Sequence, residues 1–470
     1  MRIPIPFNGG STESQSVVIS NQRTVNYYPS QESPGAKSPL TLRPTPGLKK
    51  LFSASLGPGR GNGIVFQNKM YFVSHDKLIE SNSDLSSGTE IGTLNTIGGR
   101  VVMAASPTEL ILVDGEYGYH WDGTTFSVIS DPDFPTATHI AWLDFYFIAN
   151  DVDTGQFYIS GLNDGLSWNP LDFATAESQP DNLLAVFTTN NELWLFGEYT
   201  TEVYYNSGNP DFPFDQIPQG VMDIGVQAPY SISKNEQGEL VWLSASRHGA
   251  NDVVKARLGG FQIISDTDTG WTLDSLDTTN DAYAWIYTES AHTFYVLTFP
   301  KSNKTKVYDF RENFWHDRKS YLIDRHRASG YVFYNRKHVI FDYDNASVYH
   351  WCLETRDDDG QPIERIRRGV IIHKDRKDIF ISRFEIEFEP GQGLVNGQGD
   401  HPQAMLKYTR NGFIWSHELW RSIGKIGEYN NRAVWDSLGS GRQLQFETVI
   451  TDPVKPVIVG AYIDIEEGYH

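Results

Sequence analysis

Between about residues 58 and 352 the hydrophobic positions come in short paired runs. An apolar or alternating strand meets a Gly, Asn or Asp turn, then a second strand, then a looser segment. Gly63-Ile64-Val65-Phe66 precedes Lys69-Met70-Tyr71-Phe72-Val73, and Val101-Val102-Met103-Ala104 precedes Glu109-Leu110-Ile111-Leu112-Val113. The same pairing recurs at His139–Trp142 with Phe145–Ile148, and at Leu184–Phe187 with Glu192–Phe196. It continues with a run at Glu239–Leu243, then Ala282–Tyr287 with Thr293–Leu297, and Gly330–Tyr334 with His338–Phe341. The unit returns every roughly 37–50 residues, the length of a four-stranded propeller blade. About 295 residues divided by about 45 per unit predicts a six- or seven-bladed β-propeller. Identity between copies is slight, although Pro132-Asp133-Phe134-Pro135 recurs as Pro210-Asp211-Phe212-Pro213. A set of β-sandwiches is the competing arrangement, and the period favours the propeller.

The flanks read differently. Residues 1–56 are rich in turn signals (Asn8-Gly9-Gly10, Ser33-Pro34-Gly35, Pro44-Thr45-Pro46-Gly47) and weak in periodicity. Proline fixes φ and removes a donor, so this stretch predicts an extended N-terminal arm laid over another surface. Residues 57–352 form the propeller in this reading. After the charged turn Asp357-Asp358-Asp359-Gly360, clean alternation returns in Phe380–Glu389, Leu444–Ile450 and Val457–Ile465. One apolar and one charged face describe a half-buried antiparallel sheet, so 353–470 is predicted to be a β-sandwich-like module. The whole chain is expected to be all-β.

Composition narrows the class. With 26 Phe, 24 Tyr and 12 Trp the chain has ample apolar surface to offset ordering entropy, which excludes a disordered protein. The 41 Gly and 23 Pro argue against a helical bundle. No run reaches the roughly 18–20 apolar residues of a membrane span. The opening Met1–Phe7 has no apolar signal region, so synthesis in a reducing cytoplasm is the expectation. The lone Cys352 excludes a disulfide framework or a multi-thiolate metal site.

The net charge is −20 and unevenly spread. Residues 101–233 contain no Lys or Arg but 19 Asp and Glu, whereas 301–380 carry 17 Lys and Arg against 13 acids. That balance opposes tight wrapping of a nucleic-acid backbone. It fits either a solubilising surface or an acidic face from which DNA is repelled as it passes.

No pattern for a zinc protease, a P-loop, a serine-hydrolase elbow or a dinucleotide fold is present, and the histidines lack ligand spacing. Asp266-Thr267-Asp268-Thr269-Gly270 superficially matches a calcium loop but lacks its closing Glu and flanking helices, so it reads as a solvated turn. Asn163-Asp164-Gly165-Leu166-Ser167-Trp168 and Asn411-Gly412-Phe413-Ile414-Trp415 resemble the architectural Asp-box hairpin of sialidases. A sialidase also needs several arginines to grip a carboxylate, and the Arg-free stretch removes three successive units as donors. A carbohydrate-active or glycan-binding propeller therefore stands only as the alternative. No catalytic, cofactor or metal residues are assigned.

Four places together resemble one known family. They are Val25-Asn26-Tyr27-Tyr28-Pro29 with Pro44-Thr45-Pro46-Gly47-Leu48; Ala176-Glu177-Ser178-Gln179-Pro180-Asp181 with Trp194–Gly197 and Thr201–Tyr204; Phe214 through Gly220 to Gly225; and Trp415-Ser416 with Gly424, Tyr429–Arg432, Val434-Trp435 and Leu438-Gly439. The chain is similar in these to the packaged-DNA stabilization, or tail accessory (hub and nozzle), proteins of short-tailed phages. The resemblance implies a virion tail protein, not an enzyme, made in the host bacterial cytoplasm. It implies a homo-oligomeric, hexameric ring below the portal and its head-to-tail adaptor. Needle or plug and tailspike proteins would attach nearby, with DNA passing through without tight binding and no membrane insertion.

Two clusters are singled out. Ala176, Glu177, Ser178, Gln179, Pro180 and Asp181 form either a capping turn between two blades or a contact with a neighbouring subunit or adaptor. Arg365, Arg367, Arg368, Lys374, Arg376 and Lys377 form either a solvated strand edge or a contact with acidic surface on the next subunit.

Overall fold

The computed structural model describes residues 2–54, 56–176, 180–247, 249, 251–375 and 377–467. Seven groups of strands follow one another, each an antiparallel meander with four strands along its main path. Their inner strands begin at Ile64–Phe66, Val102–Ala105, Ile140–Leu143, Leu183–Thr189, Gly225–Val226, Tyr283–Glu289 and Ala328–Tyr334. Consecutive groups touch near the axis, and Ala328–Tyr334 of the last lies against Ile64–Phe66 of the first. The ring is closed, and the domain is a β-propeller.

The second strand of each group explains the unbroken apolar runs. Leu110 and Leu112 pack towards the first blade while Ile111 and Val113 pack towards the third. Leu193 and Leu195 likewise face the third blade, and Trp194 and Phe196 the fifth. A strand buried on both faces has no polar side to show, so the alternation vanishes. In the fifth blade the inner position is divided between Gly225–Val226 and Ser233–Lys234, separated by a 3-10 turn at Pro229–Ser231. The sequence shows only its second strand, Leu240–Ala245, for that reason.

The C-terminal half is a sandwich of two sheets. One holds Ile379–Phe388 between Ala433–Gly441 and Ile458–Glu467; the other is built on Gln443–Ile450. Phe384 stacks on Phe446 across the core with ring centres 4.2 Å apart.

The first 53 residues are woven through both halves. Arg2–Ile5, Tyr27–Gln31 and Leu40–Pro44 join the first sandwich sheet. Asn21–Val25 lies between Phe314–Asp317 of the sixth blade and Arg365–Arg368 of the second sandwich sheet, making one continuous sheet across the two domains. Gly47–Ser53 is the outer strand of the seventh blade, paired with Ser347–Cys352. The expectation of an arm laid over a surface is thus replaced by strands inserted into sheets. The backbone donors between its prolines need partners, and ladder pairing supplies them.

Two smaller readings change. Pro132–Pro135 joins the second and third blades, whereas Pro210–Pro213 lies inside the fourth, so their likeness marks no equivalent position. Asp266 caps the short helix Thr267–Asp274, accepting from the Thr269 amide at 2.7 Å. The Asp-box reading holds its architectural sense: Trp168 is buried and its indole donates to the Gly165 carbonyl at 2.9 Å.

Candidate functional site

Two constructions stand out: the junction between the domains and the propeller axis. The junction is organised by Val25-Asn26-Tyr27-Tyr28. Val25 pairs with Asp317 on one side and Ile366 on the other. Asn26 adopts φ 54°, and its amide group donates to the Lys319 and Glu364 carbonyls at 3.0 and 2.9 Å. Its side-chain carbonyl accepts from the Lys319 amide. The left-handed residue turns the chain so that Tyr27 enters the sandwich core and Tyr28 the core between the sixth and seventh blades. Asn tolerates this conformation better than most side chains because it bonds locally.

The arginines of the basic cluster complete this junction from within. Arg367 is fully buried and donates to the carbonyls of Phe7 and Gly10, to Thr24 Oγ1 and to Gln22 Oε1. Burial pushes its guanidinium down to about 9, which leaves it charged at neutral pH. Arg365, also fully buried, reaches the Arg356 and Asp452 carbonyls. Arg368 pairs with Glu447 at 2.7 Å, donates to Asn21 Oδ1 and lies over the Trp415 ring. The expected subunit contact is corrected for Arg365 and Arg367, which have no surface to offer; Arg368 is half-buried and paired within the chain. Composition marked them as charge, but the long planar donors of Arg367 serve carbonyls of the N-terminal segment and those of Arg365 the Arg356 and Asp452 carbonyls. Lys374 and Lys377 lie exposed on the turn that follows Ile372–His373, and Arg376 is outside the described residues.

Beneath the junction, Lys306 and Asp317 form a buried pair at 2.8 Å, and Ser11 donates to the same carboxylate. Burial pushes the Asp317 carboxyl up, but Lys306 and Arg23 outweigh it and hold it below its ordinary range.

The hexapeptide is a blade connection over its described part. Asp181 accepts from the Tyr199 and Thr200 amides at 2.8 and 3.0 Å, tying the entry of the fourth blade to the turn after Gly197. A Cβ at Gly197 would stand 2.7 Å from that carboxylate, so the spacing from Asp181 to Gly197 is a packing requirement. Ala176 is buried and Pro180 exposed; Glu177, Ser178 and Gln179 lie outside the described residues.

At the axis, inner strands of the first five blades line a half-open cavity of about 350 Å³. Arg100, at the entry of the second blade, is among its lining residues. The guanidinium lies 4.1 Å from the Tyr283 ring centre and 5.6 Å from that of Tyr230, and donates to the Ser329 carbonyl at 2.9 Å. A side chain from the second blade that touches the fifth, sixth and seventh must lie on the axis. Arg60 fixes the loop before it, donating to the Thr96, Gly98 and Gly99 carbonyls. His139 stacks on Tyr230, and burial pushes its imidazole down to about 3, so it stays neutral. No pattern in the sequence marked Arg100; the one signal was its place as the last cation before the long acidic stretch.

A family model described as "Bacteriophage P22 Gp10, beta-propeller" matches residues 1–355, and one described as "Bacteriophage P22 Gp10, beta-sandwich" matches 364–466. The chain belongs to the P22 Gp10 family. This is the tail accessory, or DNA stabilization, family of short-tailed phages, and its members are virion tail proteins. The Gp10 propeller match includes the woven N-terminal strands, of which Gly47–Ser53 belongs to the seventh blade. No curated protein matches. Among solved structures, the computationally designed Ika8 protein is similar at 13% identity and a TM-score of 0.39, over 64% of this chain and 99% of that one. That likeness is too weak to add to the Gp10 assignment.

Proposed function

We propose that this chain is a ring-forming subunit of the tail hub or nozzle, continuing the DNA conduit below the portal and adaptor and helping retain packaged DNA. The observation that carries the reading is the Gp10 family match across both halves of the chain. A sheet continuous from the sixth blade into the sandwich supports it mechanically, because the two domains then transmit load as one body. Six copies would make the ring, with adaptor, needle or plug and tailspike proteins as neighbours. The role is structural and involves no catalysis.

Of the acids in 101–233, Glu116, Asp122, Asp153, Asp164, Asp211, Asp215 and Asp223 are exposed. Such a surface repels a duplex carrying about one charge per 1.7 Å. Containment would come from a plug below, with the ring as gasket and mount. Negative-stain images of the purified protein should show rings, and isolated single discs would overturn the proposal. The ring should show no measurable affinity for duplex DNA at physiological salt; tight, salt-sensitive binding would move the function to a direct DNA clamp.

A further inference from the structure

The geometry points to a binding site for a small organic carboxylate in the axial cavity of the propeller, with Arg100 as its anchor. The cavity has the size and lining of a fragment site. Val101, Met103, Ala105, Ile140 and Val186 give it apolar walls, and exposed Lys234 stands among its lining residues. The inner strands pair only outwards, towards the second strand of each blade, so their other edges turn backbone amides and carbonyls to the axis.

Arg100 is the unusual group. Among the described residues one guanidinium nitrogen donates, to Ser329, and no carboxylate pairs with it. Its neighbours are the Tyr283 and Tyr230 rings, which stabilise a cation without neutralising it. Partial burial lowers its pKa, which reflects the cost of holding this charge where water is scarce. A half-buried guanidinium with uncommitted donors beside a cavity is complementary to a planar anion held by two parallel N–H bonds. The fork of Arg100 matches the two oxygens of a single carboxylate, with Lys234 adding a positive charge at the rim; a phosphate dianion would bring further charge into a chain of net charge −20. The apolar walls favour a carboxylate on a compact ring or branched body over acetate or formate.

Benzoate and its neutral isostere benzamide are the probes, titrated calorimetrically into the full-length protein at fixed ionic strength. Benzoate should bind one site per chain with a dissociation constant of about 1–10 mM, as expected for a ligand of its size. Benzamide should bind at least about tenfold more weakly, since it presents no charge to Arg100. Arg100→Gln should abolish the preference for benzoate. Because Arg100 also ties four blades together and that variant could unfold, Lys234→Glu supplies a second arm on an exposed side chain. It should weaken benzoate severalfold and leave benzamide unchanged. Equal binding of the two probes, no saturable binding of benzoate, or benzoate affinity untouched by Lys234→Glu would each overturn the assignment.

Discussion

Five of the seven inner hairpins turn on two residues that both have positive φ, none of them glycine: Gln67-Asn68, Asp144-Phe145, Asn190-Asn191, Ser290-Ala291 and Asn335-Arg336. The handedness of the strands demands this turn, and Asn-Gly is its usual solution. Only the Asn and Asp members were legible as turn formers in the sequence. Phe145 and Ala291 pass for strand residues because nothing in their chemistry suggests φ values of 75° and 64°. Ala291 is exposed and has no side-chain bond to offset the strain, so Ala291→Gly should stabilise the propeller by about 0.5–1 kcal/mol. The denaturant midpoint of the purified variant checks this; an unchanged or lower midpoint would contradict it. Tyr27 and Tyr28 teach the same lesson. Their motif was readable as a family mark, but their division between two cores depends on the backbone of Asn26.

At the scale of elements, strands with a repeating environment were readable and strands that cross between domains were not. The blade hairpins announce themselves because each apolar run meets its partner within a few residues. Gly47–Ser53 cannot, since its partner Ser347–Cys352 lies some three hundred positions away. Its entry is nonetheless specified closely. A Cβ at Gly47 would come within 2.3 Å of the Asp357 carbonyl oxygen and 2.7 Å of that of Thr355. The Trp351 indole donates to the neighbouring Pro46 carbonyl at 3.1 Å. Backbone cannot yield as a flexible side chain does, so Gly47→Ala should destabilise the seventh blade by about 2–4 kcal/mol. Thermal melting and hydrogen exchange over Ser347–Cys352 would register the loss, and wild-type protection there would refute it. The buried arginines were misread for a related reason: charge density in a sequence says nothing about whether carbonyls await it.

The whole molecule carries a set of neutral, buried imidazoles. Burial holds His139 and His326 at about 3 and His338 at about 4, with His316 well below its ordinary value. Each folded value lies below the unfolded value of about 6.5, so the unfolded chain takes up protons first as pH falls. Their contribution is full above about 6.5 and diminishes as pH drops towards the folded values. Glu289 and Asp358, pushed up to about 7 by burial, act in the opposite sense, being protonated when folded and favouring stability at lower pH. Four imidazoles outweigh two carboxyls, so the melting temperature should fall from pH 7 to pH 5, and His326→Gln should flatten the slope. A melting temperature that rises over this range would contradict the balance.

The pairing of Arg2–Ile5 with Ile458–Glu467 has a consequence in time. A ribosome must add about 450 residues after that first strand before its partner exists, which at about 5–20 residues per second takes roughly 20–90 s. Throughout that interval Arg2–Ile5 has no ladder to join, whereas Gly47–Ser53 can enter the seventh blade as soon as Ser347–Cys352 is made. Closing so long a loop is slow, and it comes last. Completion of the fold therefore waits on synthesis of Ile458–Glu467: a chain cut short within that strand leaves its beginning undocked and its edges open. The ladder thereby separates chains that carry this strand from chains cut short before it.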